Sequence, residues 1–245
     1  MTQTEQVINV MREKGGYSTL LELNHSVDVS SWKSKTPFAS IRRIVQVGPF
    51  FKIRPGLWAL NECRDKVLEK LNISPAKPKN NEIFTHGYYQ GLLVQIGNFH
   101  KLQTYVPAQD KNRKFLETPL SEMITVHSMY QFTYPKIIGR AKTVDVIWFN
   151  SRNMPNSFFE VEHTTDIQNS LDKFYELQDF CASFNIVADS ARYNQFKDVI
   201  SRSIYDDIRK RVSFQSYEKV VENYTKFSAL SEFDPNPAAN YGLFR

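Results

Sequence analysis

Residues 143–166, TVDVIWFNSRNMPNSFFEVEHTTD, hold two apolar runs, VDVIWF and FFEVEHT, joined by the polar loop NSRNMPNS. Short runs rich in β-branched and aromatic residues form strands, and a loop of this length makes antiparallel pairing the direct way to close them. Facing residues of such a hairpin have numbers that sum to a constant. Asp145 and Glu160 sum to 305, which puts the midpoint inside the loop and the two residues side by side. Side chains alternate along a strand, so Phe158, Glu160, Glu162 and Thr164 share one face, and Phe159, Val161 and His163 share the other. Asp145 shares its face with Ile147 and Phe149. Three carboxylates, Asp145, Glu160 and Glu162, can therefore meet at one point.

Such a cluster is costly, because like charges repel and a half-buried carboxylate loses its hydration. Protonation, basic partners or a cation must compensate. An ordinary ion-pair cluster would draw on Lys142, Arg152 or Lys173. A divalent ion such as Mg2+ also suits carboxylate oxygens. Paired carboxylates also serve glycoside hydrolysis, but no aromatic-lined sugar-site pattern accompanies them here.

The surrounding sequence supplies layers for a sheet. Residues 83–100 place Leu92, Leu93, Ile96 and Phe99 on one helical stripe, with His86 and Gln90 four apart on a common face. LQTYVPAQD, FNIVADS and VSFQSY read as further strands, and DIQNSLDKFYELQDF and the segment from RYNQF onward as helices. Strands enclosed by helices predict an α/β core with a mixed central sheet. Trp148 is expected in the core.

The composition changes at NISPAKPKNNE, residues 72–82, predicting a linker between a first domain at 1–71 and a second at 83–245. The net charge of +5 is uneven: residues 1–80 hold 13 Lys+Arg against 7 Asp+Glu, leaving 18 against 19 in the remainder. A basic first module attached to a neutral one suits an acidic polymer, with nucleic acid the first candidate. A merely solvated basic face would look the same. No apolar run is long enough to span a membrane, and MTQTEQVINVMREKGG lacks the pattern of a signal peptide. Two distant cysteines, Cys63 and Cys181, argue against a disulfide scaffold or a structural zinc site. The expectation is a cytoplasmic protein with reduced thiols.

Within 1–71, a helix is predicted over Thr4–Lys14, stopped by Gly15 and Gly16, and a second over Tyr17–Asn24. A third is predicted in TPFASIRRIVQV, with Thr36 as N-cap and Pro37 in the first turn. FFKIRPGLWAL then reads as a hairpin turning at Pro55-Gly56. KTPFASIRRIV followed by FFKIRPGLWAL resembles the HARE-type winged-helix domain over roughly residues 1–65. That resemblance implies a third helix entering the DNA major groove and a wing on the backbone. Ser40, Arg42 and Arg43 would then face DNA, and Lys33, Lys35, Lys52 and Arg54 would meet phosphate. A purely protein-binding winged helix is the alternative.

A second resemblance covers about residues 82–215. Asp145, about fifteen residues, then Glu160-x-Glu162, set in FEVEHTTDIQNSLDKFYEL, is similar to the PD-(D/E)XK nuclease superfamily that includes many restriction endonucleases. Val144 stands where the motif has Pro, and Glu162 where it usually has Lys. The resemblance implies a restriction-endonuclease-like α/β core in which Asp145, Glu160 and the carbonyl of Val161 hold Mg2+. Glu162 would orient the attacking water or a second metal, and Lys173 would approach a phosphate oxygen. His86, Gln90 and His163 would stand behind these. It further implies a type II enzyme acting on double-stranded DNA with Mg2+ alone, since no GxxxxGK[ST] motif is present. One catalytic centre per chain would need a homodimer, or two successive nicks, to cut both strands. A modification-dependent or repair nuclease, a toxin-like RNase, and a DNA-binding regulator without activity are the alternatives.

Overall fold

The computed structural model describes residues 1–74, 78–163 and 166–231. The tail FDPNPAANYGLF and Thr164 lie outside the described residues. The chain divides into two compact units, Met1–Asn81 and Glu82–Arg245.

The first unit contains α1 (Gln3–Glu13), β1 (Tyr17–Thr19), α2 (Leu20–Ser26), α3 (Pro37–Val47), β2 (Phe50–Arg54), β3 (Leu57–Leu60) and α4 (Arg64–Lys70). Its sheet has the order β1-β3-β2 and is antiparallel throughout. Val7, Met11, Leu23, Trp32, Ile41 and Val45 meet Phe50 and Leu60 in its core. Pro55 and Gly56 turn β2 into β3, and Gly56 has φ +81°, which only glycine adopts without strain. The second helix does not start at Tyr17 as expected. Tyr17–Thr19 pair with β3 instead, and the helix opens at Leu20 behind a capping box between Thr19 and Glu22. The TLLE sequence carries that signal, which outweighs the helical spacing before it. Thr36 takes the N-cap position of α3 but makes no side-chain cap bond; Pro37 supplies the start.

The second unit is built around α5 (Pro78–Phe99), whose first turns fall in the segment expected to be linker. Proline is at home in a first helical turn, which explains why a Pro/Lys/Asn-rich segment does not end the helix there. Then follow β4 (Gln103–Tyr105), β5 (Lys114–Phe115), β6 (Thr118–Pro119), α6 (Leu120–Met123), α7 (Pro135–Ala141), β7 (Val146–Phe149) and β8 (Pro155–Glu162). The rest comprises α8 (Ile167–Glu176), β9 (Ser183–Ala188), α9 (Tyr193–Ile200), α10 (Asp206–Arg209), β10 (Val212–Ser216) and α11 (Tyr217–Ser231). The segment after FNIVADS forms two helices, α9 and α10, separated by a 3-10 turn at Ser203–Tyr205.

The main sheet has the order β10-β9-β8-β7-β4. β8, β9 and β10 run parallel, while β7 and β4 run antiparallel to their neighbours. The sheet is therefore mixed, and helices flank it. Val146 faces Phe159, Ile147 faces Phe158 and Trp148 faces Ser157, the constant-sum register of direct hairpin closure. One sheet face packs Ile147, Phe149, Phe158 and Phe184 against Leu171 and Phe174 of α8 and Phe196 of α9.

On the opposite face Trp148 meets Phe159 and donates its indole N–H to the Leu93 carbonyl of α5 at 3.1 Å. This close approach depends on Gly97, where a Cβ would lie 2.6 Å from both Trp148 Nε1 and Thr104 Cγ2. Gly97→Ala will destabilise the chain by about 1–3 kcal/mol through overpacking, offset in part by alanine's helix propensity. Urea unfolding reads this directly; an unchanged midpoint would show that α5 can back away from the sheet.

Candidate functional site

The site lies at the carboxyl end of β8, where the two helical layers approach the sheet. Asp145 immediately precedes β7, and Glu160 and Glu162 are the last inward positions of β8. All three are buried, Glu160 to 3% exposure and Glu162 to 4%. Hairpin register puts Asp145 opposite Glu160. The Val161 N–H donates to Asp145 Oδ2 at 2.8 Å, fixing one carboxylate oxygen and leaving the other to face α5.

From α8, the Lys173 ammonium donates to Glu160 Oε2 at 2.8 Å and to the Thr143 carbonyl at 3.2 Å. Asp166 caps that helix by accepting from the Gln168 N–H, which sets the register that aims Ser170 and Lys173 at the strand. The Ser170 hydroxyl bridges Glu162 Oε1 and Glu160 Oε2. Arg192 Nη1 stands 4.0 Å from Glu162 Oε2. Glu160 Oε1 is buried without a hydrogen-bond partner.

α5 contributes His86 and Gln90 from one face. Gln90 is fully buried, and its amide donates to Asp110 Oδ2 at 2.8 Å and to the Asp145 carbonyl at 3.1 Å. His86 Nε2 lies 3.2 Å from Asp145 Oδ1 and 3.9 Å from Asp110 Oδ2. Arg113 pairs with Asp110 Oδ1 at 2.7 Å.

Burial pushes the Glu160 carboxyl well above the ordinary glutamate range, and the neighbouring Asp145 charge adds to this while Lys173 opposes it. Burial pushes the Asp145 carboxyl up as well, yet the adjacent His86 imidazole and the Val161 N–H hold it below the ordinary range. Burial weakens the Lys173 charge, but Glu160, Asp145 and Glu162 raise its pKa above the usual lysine value. Two adjoining carboxylates driven in opposite directions are a common mark of a site built for chemistry.

Asp145, Glu160, Glu162, Lys173, His86 and Gln90 thus converge, while Val161 contributes its backbone. His163 sits half-buried just past β8. Trp148 is in the core. Asp110 and Ser170 are additions that the sequence did not single out. Asp110 follows Pro107 in a short 3-10 turn with no periodicity to expose it. Ser170 is recognisable only as the residue three before Lys173, on the same helical face.

In the first unit, Lys33, Lys35, Arg42, Arg43 and Lys52 are exposed. Ser40 is half-buried, its hydroxyl 3.0 Å from that of Ser34 and 3.3 Å from the Thr36 carbonyl. Arg54 is also half-buried, and its guanidinium donates to the Ile53 carbonyl at 2.9 Å.

Among the described residues no helix is long and apolar enough to cross a membrane. The family model of the Type II restriction enzyme NmeDI C-terminal domain matches residues 67–235, more than half of the chain. No curated protein and no solved structure matches.

Proposed function

The chain belongs to the family of the Type II restriction enzyme NmeDI C-terminal domain, and from this we propose that it is a PD-(D/E)XK-type endonuclease cutting duplex DNA at specific sites with Mg2+. The observation that carries the reading is the buried meeting of Asp145, Glu160 and Glu162 about Lys173, with Glu160 Oε1 left without a partner. A buried carboxylate oxygen that nothing satisfies costs free energy, and natural sites retain such groups for a ligand.

The donors fit a hard divalent ion: Asp145, Glu160 and the carbonyl of Val161 supply oxygen only. When bound, Mg2+ supplies a lowered pKa for its water and offsets charge on the phosphate. Glu162, held by Ser170, orients the water and accepts its proton as the water oxygen attacks phosphorus. The leaving ester oxygen departs on the opposite side. Lys173, charged and fixed by Glu160, offers its ammonium to a non-bridging oxygen of the same phosphate, replacing in space the lysine that the motif usually has at position 162.

The first unit acts as a HARE-type winged helix in this reading. α3 presents Arg42 and Arg43, Lys33 and Lys35 precede it, and Lys52 lies on β2, all exposed for phosphate. Ser40 and Arg54 have weaker claims, since each spends hydrogen bonds on the local backbone. A homodimer would cut both strands together.

The test is incubation of the purified chain with unmodified and methylated duplex DNA, with Mg2+ or with EDTA. We expect discrete fragments that require Mg2+, whose mapped ends define the site. Fragments from methylated DNA alone would make it a modification-dependent nuclease. Binding without cleavage in every arm would overturn the nuclease reading and leave a DNA-binding regulator.

A further inference from the structure

The carboxylate cluster has a second side, which the reaction above does not use. His86, Asp110 and Asp145 each offer one donor atom there, and all three atoms lie within 4.8 Å of one another. Donors around one ion at about 2.1 Å stand about 3.0 Å apart when adjacent and about 4.2 Å when opposite. The 3.2 Å and 3.9 Å separations from His86 Nε2 fall in that range.

Two further observations point to a ligand rather than an ion pair. His86 Nε2 is shielded from solvent and close to two carboxylates, yet it makes no aligned hydrogen bond with either. Gln90, fully buried, fixes Asp110 and the Asp145 backbone through its amide nitrogen, while its Oε1 has no partner. Arg113 occupies the remaining oxygen of Asp110, and the Val161 N–H that of Asp145. The Asp145 carboxylate is thus held through Oδ2 and turns Oδ1 toward the imidazole, while Asp110 is ion-paired through Oδ1 and presents to the imidazole the same Oδ2 that accepts from Gln90. This is how outer partners orient the ligands of a metal site.

We propose that His86, Asp110 and Asp145 form a second cation subsite, distinct in chemistry from the oxygen-only side, that takes a first-row transition ion in preference to Mg2+. An imidazole nitrogen adds affinity for Co2+ or Zn2+ and little for Mg2+, which prefers oxygen and keeps its water. The subsite shares Asp145 with the Mg2+ position proposed above and deepens that reading, but its selectivity rests on His86 and Asp110.

The experiment is calorimetric titration of the full chain with Co2+ and separately with Mg2+, together with the visible d–d absorption of the Co2+ form. The proteins compared are wild type, His86→Ala, His86→Gln, Asp110→Asn and Glu160→Gln, each checked for its unfolding midpoint. The subsite predicts Co2+ binding at least tenfold tighter than Mg2+. Both His86 variants, at a partly exposed position suited to folding normally, should weaken Co2+ by about 10–100-fold, alter the absorption bands and leave Mg2+ binding unchanged. Asp110→Asn should weaken Co2+ likewise. Co2+ affinity and spectrum unchanged in folded His86 variants would overturn the subsite; if Mg2+ binding still disappears in Glu160→Gln, the nuclease centre stands without it. Mg2+ binding that survives Glu160→Gln while Co2+ still requires His86 would support the subsite and count against the nuclease reading.

Discussion

Glu160→Gln will lower Mg2+-dependent DNA cleavage by at least about a thousandfold while raising the thermal stability of the metal-free chain at neutral pH. The first effect follows from losing a negative oxygen donor at the reacting centre, where one electrostatic contact is worth on the order of 10²–10³ and a metal ligand more. The second follows from burial. Because the folded-state pKa of Glu160 is raised, the unfolded chain releases this proton first as pH rises. Stability is then lost from the ordinary carboxylate range upward until the folded group has ionised. Glutamine removes that loss. The melting-temperature advantage of the variant should therefore be small near pH 4 and should grow toward pH 7.5. Full cleavage by the variant would remove Glu160 from the reaction, and a melting point that falls at pH 7.5 would mean its pairing with Lys173 outweighs its burial.

Lys173→Ala should act in the opposite direction on stability and the same direction on activity. Its ammonium is the close cation at Glu160 Oε2, 2.8 Å away. Removing one partner of a buried pair leaves the other uncompensated and costs several kcal/mol. Here the lysine retains some solvent contact, with 23% of its side chain exposed, so a loss of about 2–3 kcal/mol at neutral pH is expected, roughly 5–10 °C in melting temperature. Adding Glu160→Gln should restore most of it, a coupling that a double-mutant cycle measures. Cleavage should fall by about 10²-fold in the single variant. Additive stability effects would show that the two residues do not act as a pair.

These effects concern residues that the sequence made visible, for a definite reason. The β7–β8 loop is short, so register followed from arithmetic, and alternation then put Glu160 and Glu162 on one face. Lys173 was legible because α8 follows that strand directly. What joins the site across long separations was not. Asp110 lies between α5 and β7 in a turn, and only tertiary packing brings it against Gln90. The strand at Tyr17–Thr19 was missed because three residues carry too little periodicity to compete with the helical spacing on either side, and because its partner strand lies some forty residues on. The helical turns before Glu82 were missed because proline reads as a breaker unless it is known to stand at a helix start.

The parallel pairing of β8 with β9 has a consequence for how the protein comes to life. An antiparallel β7–β8 hairpin can form on its own within microseconds, and it already places Asp145 beside Glu160. Glu162 pairs with Ala188 of β9 across the α8 connection, and its Arg192 neighbour comes later still. His86 and Asp110 must close from the other direction. The chemistry therefore depends on contacts between residues up to 59 apart in the sequence, from His86 to Asp145, which form late because long loops must close before those contacts can stabilise the fold. A nascent or locally opened chain holds an incomplete centre. Competence to act becomes a property of the finished fold rather than of the hairpin that carries the acids.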